Sequence, residues 1–215
     1  MGVIPFYGAQ DRRLFEIERA AMDRPGRVVG ALDALLPRAG LVLDVGAGDG
    51  FTAERLSTAN RRVVALEPAG GMRRPDRPVL WVGGEAEHVP IRTASVDAAF
   101  STWAYFFSRN WDPTPGVREL DRVVRPGGVI AIVDNLGDDE FTARAPDPAA
   151  LTADPAFWKD QGFSCTVIDT AFEFDSPTDA EELLTLYFGP SAEHIKRLRL
   201  SYRAGVFTRT SRGAD

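Results

Sequence analysis

A short apolar run, Leu41-Val42-Leu43-Asp44-Val45, opens directly into Gly46-Ala47-Gly48-Asp49-Gly50, and helical spacing resumes from Phe51 to Leu56. Strand, glycine turn and helix in that order constrain the fold more than any other feature of the chain. Glycines lack the Cβ that would keep a ligand off the backbone, and they take positive φ without strain, so such a loop brings bare amides against something flat or charged. A dinucleotide loop needs G-x-G-x-x-G, and Phe51 stands where its third glycine belongs. The phosphate loop G-x-x-x-x-G-K-[ST] is absent, with no lysine near the turn. Nicotinamide cofactors are therefore a poor fit and nucleoside triphosphates a poorer one.

The rest of the pattern alternates strands and helices. Apolar residues from Leu14 to Leu36 recur at three- and four-residue intervals around a break at Pro25-Gly26, which predicts two amphipathic helices. Arg62–Leu66, Val79–Val82, Val96–Ser101 and Val129–Val133 read as further buried strands, mostly separated by helical segments. That order implies a parallel sheet covered on both faces, with right-handed crossovers. Asp138-Asp139-Glu140 and Pro146, Pro148 and Pro155 interrupt the next stretch, so residues 135–160 form a variable excursion with short helices. Phe163–Phe174 reads as a strand, Thr178–Phe188 as a helix started at Ser176-Pro177, Ser191–Leu200 as another helix and Tyr202–Thr208 as a closing strand. With 215 residues the expectation is a single domain: N-terminal helices over 1–36, a ligand-binding core over 41–133, the excursion, and sheet completion over 163–210.

Composition narrows the function classes. The chain carries 25 Lys+Arg against 31 Asp+Glu, a net charge of −6, which repels a polyanion and disfavours nucleic acid as a partner. Only Lys159 and Lys196 are lysines, as in the codon usage of a GC-rich bacterial genome. One cysteine, Cys165, and two histidines, His88 and His194, assemble neither a disulfide framework nor a zinc cage. No apolar stretch approaches the ~18 residues of a membrane helix, and the start MGVIPFYGAQDRR has no charged n-region before an apolar core. A cytoplasmic protein without a membrane partner is the expectation.

Four ordered landmarks resemble the class I S-adenosylmethionine-dependent methyltransferases. Asp44–Gly50 looks like their first motif, an acidic strand end followed by G-x-G-x-G; Glu67, just past Leu66, matches the acid that holds the ribose hydroxyls. Gly84-Glu85-Ala86-Glu87 before Val89-Pro90 resembles the adenine segment, and Glu119–Gly128 resembles the helix and proline-glycine turn leading to the fifth strand. The resemblance implies a Rossmann-like α/β fold of seven mostly parallel strands with helices on both faces and the last strand antiparallel beside the fifth. It further implies S-adenosylmethionine as cofactor, bound by Asp44, Gly46, Ala47, Gly48, Gly50, Glu67, Pro68, Met72, Glu85, Ala86 and Ser101. A carboxylate at position 67 suits a diol, because it accepts from both hydroxyls.

Trp103, Tyr105, Phe106, Phe107 and Trp111 follow the fourth strand, at the end where open parallel sheets bind ligands. Trp103 and Tyr105, with Tyr7 from a lid ahead of the first helix and Asp134 at the fifth strand end, are the expected substrate contacts; the remaining aromatics serve equally as core. Asp134-Asn135 resembles part of the magnesium site of catechol-type O-methyltransferases, but Ser101-Thr102 stands where a third, acidic ligand belongs, so no metal is expected. Asp134, Tyr105 and His88 are the residues that could take a proton, and none is singled out as catalytic. The resulting expectation is methyl transfer to a small molecule, with a non-enzymatic cofactor-binding protein or an RNA or protein methyltransferase as alternatives.

Overall fold

The computed structural model describes residues 8, 10–107, 109, 111–192 and 195–214. A seven-stranded sheet is built from β1 (Gly40–Val45), β2 (Arg61–Leu66), β3 (Leu80–Val82), β4 (Val96–Thr102), β5 (Val124–Asn135), β6 (Ser164–Glu173) and β7 (Arg199–Thr210). Its order is β3-β2-β1-β4-β5-β7-β6. The first five strands pair in parallel, and β7 lies antiparallel between β5 and β6. Strand order reverses between β1 and β4, and the chain leaves both at their carboxyl ends, where an open α/β sheet forms its crevice.

The strands are apolar on both sides because both sides are covered. On one face α1 (Arg12–Ala21), α2 (Arg27–Leu35), α3 (Phe51–Leu56) and α6 (Pro177–Phe188) close a core that includes Leu32, Val42, Leu56, Phe100, Leu183 and Tyr202. On the other, α4 (Thr114–Val123) and α5 (Pro155–Asp160) bury Leu43, Leu120, Ile130, Trp158 and Phe207. Among the described residues no helix is long and apolar enough to cross a membrane.

Two segments differ from their sequence reading. The fifth strand begins at Val124 rather than Val129, because a register shift between Val96 and Ala98 lets the Pro126-Gly127-Gly128 turn be carried inside the ladder. A Cβ on Gly128 would lie 2.5 Å from the Asp97 carbonyl oxygen, so glycine is required there. The helix expected over Ser191–Leu200 is only a 3-10 turn, Gly189–Ala192, after which the chain enters β7 at Arg199. Leu200 and Tyr202 alternate with more exposed Arg199 and Ser201, and this period of two, satisfied by pairing with β6, overrides helical propensity.

The helix α1 is fastened at its C-terminal end to a strand distant in sequence. Met22 bridges Phe172 of β6; the Asp23 amide donates to the Ala171 carbonyl at 3.1 Å and Thr170 Oγ1 donates to Asp23 Oδ1 at 2.7 Å. The same Asp23 carboxylate caps α2 by accepting from Arg27 N and Val28 N. At α6 the cap is Ser176, whose Oγ accepts from Asp179 N at 3.1 Å and donates to Asp179 Oδ2 at 2.7 Å. Ser176→Ala removes the acceptor from the first turn, and urea unfolding should show a loss of about 1 kcal/mol with an unchanged slope.

Candidate functional site

A cleft of about 400 Å³ opens at the carboxyl ends of the central strands and is roofed by α1. Its size is that of a small-molecule site. The floor is the glycine turn. Gly46 N and Ala47 N both donate to the Leu66 carbonyl at 2.9 Å, which ties the turn to β2. Gly46 sits at φ +74, and a Cβ there would collide with the side chain of Ala104. Gly48, at φ +57, is different: a Cβ there meets nothing closer than 3.7 Å, from Arg19 and Met72. Gly46 is thus required by packing, whereas the bare Gly48 keeps space open within the cleft. Ala47 and Gly50 support the loop without lining the cleft.

Glu67 links the two strand-end loops. Its Oε2 accepts from Gly48 N at 2.9 Å, its Oε1 from Ala69 N at 2.8 Å, and its carbonyl takes Arg73 Nε at 2.9 Å. Burial raises the Glu67 pKa, opposed by the Ala69 and Gly48 hydrogen bonds and by Arg73. Pro68 and Met72 line the cleft beside it. Asp44 lies beneath the loop, fully buried, and neither carboxylate oxygen has a hydrogen-bond partner. Burial pushes its pKa up to about 8 against the opposing charge of Arg19, with Glu67 and Asp49 adding to the rise.

This buried acid fixes the sign of a pH effect. Folded Asp44 holds its proton up to about pH 8, while the unfolded chain loses it near 3.9. Between those values the folded state binds more protons, so its stability falls as pH rises and levels off above the folded value. Asp134 and Glu67, raised by the same desolvation, act with the same sign. The ligand-free protein should lose on the order of 4 kcal/mol between pH 5 and pH 8.5, and Asp44→Asn should remove the larger part of that slope in pH-resolved chemical denaturation.

Along the third-strand side, Gly84, Glu85, Ala86 and Glu87 all face the cleft, held in a tight turn by His88 N donating to the Glu85 carbonyl at 3.1 Å. Both glutamates are therefore available, where the sequence reading favoured Glu85. His88 is exposed and does not line the cleft. The Tyr105 hydroxyl donates to the Asp112 carbonyl at 2.8 Å, and burial followed by the neighbouring Glu87 charge pushes its pKa up; a tyrosine so held is a poor base.

The far wall is aromatic. Trp103, at φ +46, donates through Nε1 to the Tyr202 hydroxyl at 2.6 Å. Tyr202 donates to Asn135 Oδ1, and Asn135 Nδ2 donates to the Leu151 carbonyl at 2.8 Å. Phe141 stacks on Phe172 with centroids 4.0 Å apart. Phe107 and Trp111 join the lining, while Phe106 is core.

Several expected contacts are arranged differently. Asp134 is buried with Oδ1 accepting from Asn135 N, on the opposite side of β5 from the cleft lining, which is reached by Asn135 instead. Ser101 is likewise buried without lining the cleft, and its neighbour Thr102 does so. Tyr7 lies outside the described residues. Sequence reading missed Phe15, Glu18, Arg19 and Met22, which α1 points into the cleft. Their i, i+3, i+4, i+7 spacing was the available signal, since it sets two charges on an otherwise apolar helix face. Arg19 reaches Asp49 at 3.6 Å and lies over the rings of Phe15 and Phe51, clamping α1 onto the glycine turn. Of the described residues lining the cleft, Glu18, Glu67, Glu85 and Glu87 are acidic and Arg19 alone is basic.

Comparison with known proteins agrees with this geometry. A family model described as a methyltransferase domain matches residues 43–132. An uncharacterized methyltransferase of Mycobacterium tuberculosis is 38% identical over 124 residues, 55% of this chain and 49% of that protein. A malonyl-[acyl-carrier protein] O-methyltransferase of Dechloromonas aromatica is 36% identical over 105 residues, 46% of this chain and 38% of that one. The chain spans about half, or less, of the length of these relatives. Among solved structures, a possible histamine N-methyltransferase from Thermotoga maritima superposes with a TM-score of 0.61 at 18% identity, covering 95% of this chain and 99% of that one. That likeness speaks for the fold. The matched segment, the relatives and the sheet order together identify residues 43–132 as a methyltransferase domain on the fold of the class I S-adenosylmethionine-dependent methyltransferases.

Proposed function

We propose that this chain transfers the methyl group of S-adenosylmethionine to a small, largely apolar or aromatic acceptor bound in the cleft. The observation that carries the reading is the acid-rich, glycine-floored pocket, with the unpartnered Asp44 carboxylate buried beneath it. A donor that bears a sulfonium and an ammonium group fits that charge, and its sulfonium is already an activated methyl source. The chain's own residues then have three tasks. Gly48 leaves room for the donor, while Glu67, whose oxygens each keep a lone pair beyond their backbone hydrogen bond, accepts from the ribose diol. Glu85, Ala86 and Glu87 meet the adenine edge. Phe15, Arg19 and Met22 cover the reacting centre and exclude water, which supplies alignment rather than acid–base chemistry.

Calorimetry should find S-adenosylhomocysteine binding with a nicotinamide dinucleotide negligible by comparison. With methyl-labelled donor and a cell extract, label should appear in low-mass products that survive ribonuclease and protease. Label confined to a nuclease- or protease-sensitive polymer would contradict the small-molecule reading.

A further inference from the structure

The sheet has two edge strands, and they are guarded unequally. β3 spans only Leu80–Val82, and a strand so short is a poor template for another. β6 runs from Ser164 to Glu173 and pairs with β7 along its whole length without a bulge. Its outer edge carries the main-chain groups of the odd-numbered residues: the Asp169 carbonyl accepts from Arg27 Nη1, the Ala171 carbonyl from Asp23 N and the Glu173 carbonyl from Arg24 Nη2. The junction of α1 and α2 therefore covers this edge from Asp169 onward. Ahead of that point Cys165 and Val167 turn their N–H and C=O groups to the same side, and among the described residues nothing meets them.

The uncovered stretch lacks the features that blunt an edge. Ser164, Cys165, Thr166 and Val167 are exposed and Ile168 is half-buried, so no helix or loop lies over them. The run holds no charge and no proline, and its threonine, valine and isoleucine favour extended backbone. Such an edge is a template for an added strand.

Its geometry is self-complementary in one register. With a two-fold axis at Thr166, Cys165 faces Val167 of a second, antiparallel copy and exchanges main-chain hydrogen bonds with it, while Thr166 faces its own counterpart in a non-hydrogen-bonded position. Centring the axis on Val167 would require the Asp169 carbonyl, which Arg27 holds. Centring it on Cys165 would require the Phe163 amide, which donates to the Trp158 carbonyl at 2.9 Å. The flanking charges match the remaining register. It sets Asp169 of one copy, beside Arg203 and with its side chain 78% exposed, opposite Phe163 of the other. There Arg212 lies against Gly162 and donates to the Gln161 carbonyl at 3.1 Å.

We infer that the open half of β6 is a homodimer interface, in which two copies of this chain join their sheets by antiparallel pairing of residues 164–168. Association here does not depend on what the cleft binds.

Sedimentation equilibrium of the full chain should show a reversible dimer at about 100 µM that dissociates on dilution. Val167→Lys puts a charge on the edge and should weaken association by at least about tenfold. Val167→Pro should do the same, since the Val167 N–H points away from β7 and its loss breaks no hydrogen bond within the chain. In a Cys165→Ser background, Thr166→Cys should form an intermolecular disulfide with oxidised glutathione, because non-hydrogen-bonded pairs hold their Cα atoms about 4.5 Å apart, within disulfide reach. Ser164→Cys in that background should not, its counterpart lying about 14 Å away along the strand. A monomer at every concentration up to about 500 µM overturns the interface and leaves the edge to a different partner. A dimer indifferent to Val167→Lys, or one that crosslinks through Ser164→Cys as readily as through Thr166→Cys, overturns it equally, whether or not the proline variant folds.

Discussion

Gly48→Val should abolish donor binding, with the affinity for S-adenosylhomocysteine falling by more than about 100-fold while the chain still folds. Space around Gly48 is open in the ligand-free protein, its nearest neighbours standing 3.7 Å from the position of a Cβ, so the added methyls meet the ligand rather than the core. The left-handed backbone at φ +57 adds strain of about 1–3 kcal/mol for a β-branched residue, and this appears as a lower melting temperature. Gly46→Ala is the informative control, because its Cβ runs into Ala104 and should lower stability before it touches affinity. Calorimetry paired with thermal melts separates the two. Wild-type affinity in Gly48→Val would mean that the donor does not approach this turn.

Glu67→Ala is the second large effect. Losing a charge-assisted pair of hydrogen bonds costs about 2 to 3 kcal/mol, or roughly 30- to 150-fold in affinity. The structure adds a contribution that the strand pattern alone does not contain: the same carboxylate accepts from Gly48 N and Ala69 N, so its removal strands two backbone donors and loosens the glycine turn. Part of the loss is therefore positional. Glu67→Gln retains one oxygen acceptor and should fall between wild type and alanine. If both variants bind S-adenosylhomocysteine as tightly as wild type, Glu67 has no role in donor binding.

The glycine-turn half of the cleft was legible because its constraints are local. Gly46, Gly48 and Glu67 sit at the ends of strands whose apolar runs mark them, and backbone geometry fixes what can stand there. The other half is assembled by residues far apart in sequence. Glu18 meets Tyr187 across 169 positions and Trp103 meets Tyr202 across 99, and no periodicity encodes which helix face will cross which strand end. Asp134 and Asn135 show the limit sharply: they are adjacent, both polar, and on opposite faces of β5, so a one-residue difference decides which one reaches the cleft. The misread helix over Ser191–Leu200 has the same origin, a short apolar pattern decided by pairing with a distant strand.

The fastening of α1 to β6 has a consequence for the order of assembly. Met22, Asp23 and Arg24 bond to Phe172, Thr170, Ala171 and Glu173, about 150 residues onward. The roof over the glycine turn thus depends on a strand synthesised about 150 residues later. Contacts of such separation carry the largest loop-closure entropy and slow folding. A nascent chain can form the turn of β1 and α3 early, but its roof is secured only once β6 and β7 have paired. Ligand-binding competence should accordingly emerge only after β6 and β7 have been synthesised, and a chain stopped before Ser164 would leave the glycine turn uncovered.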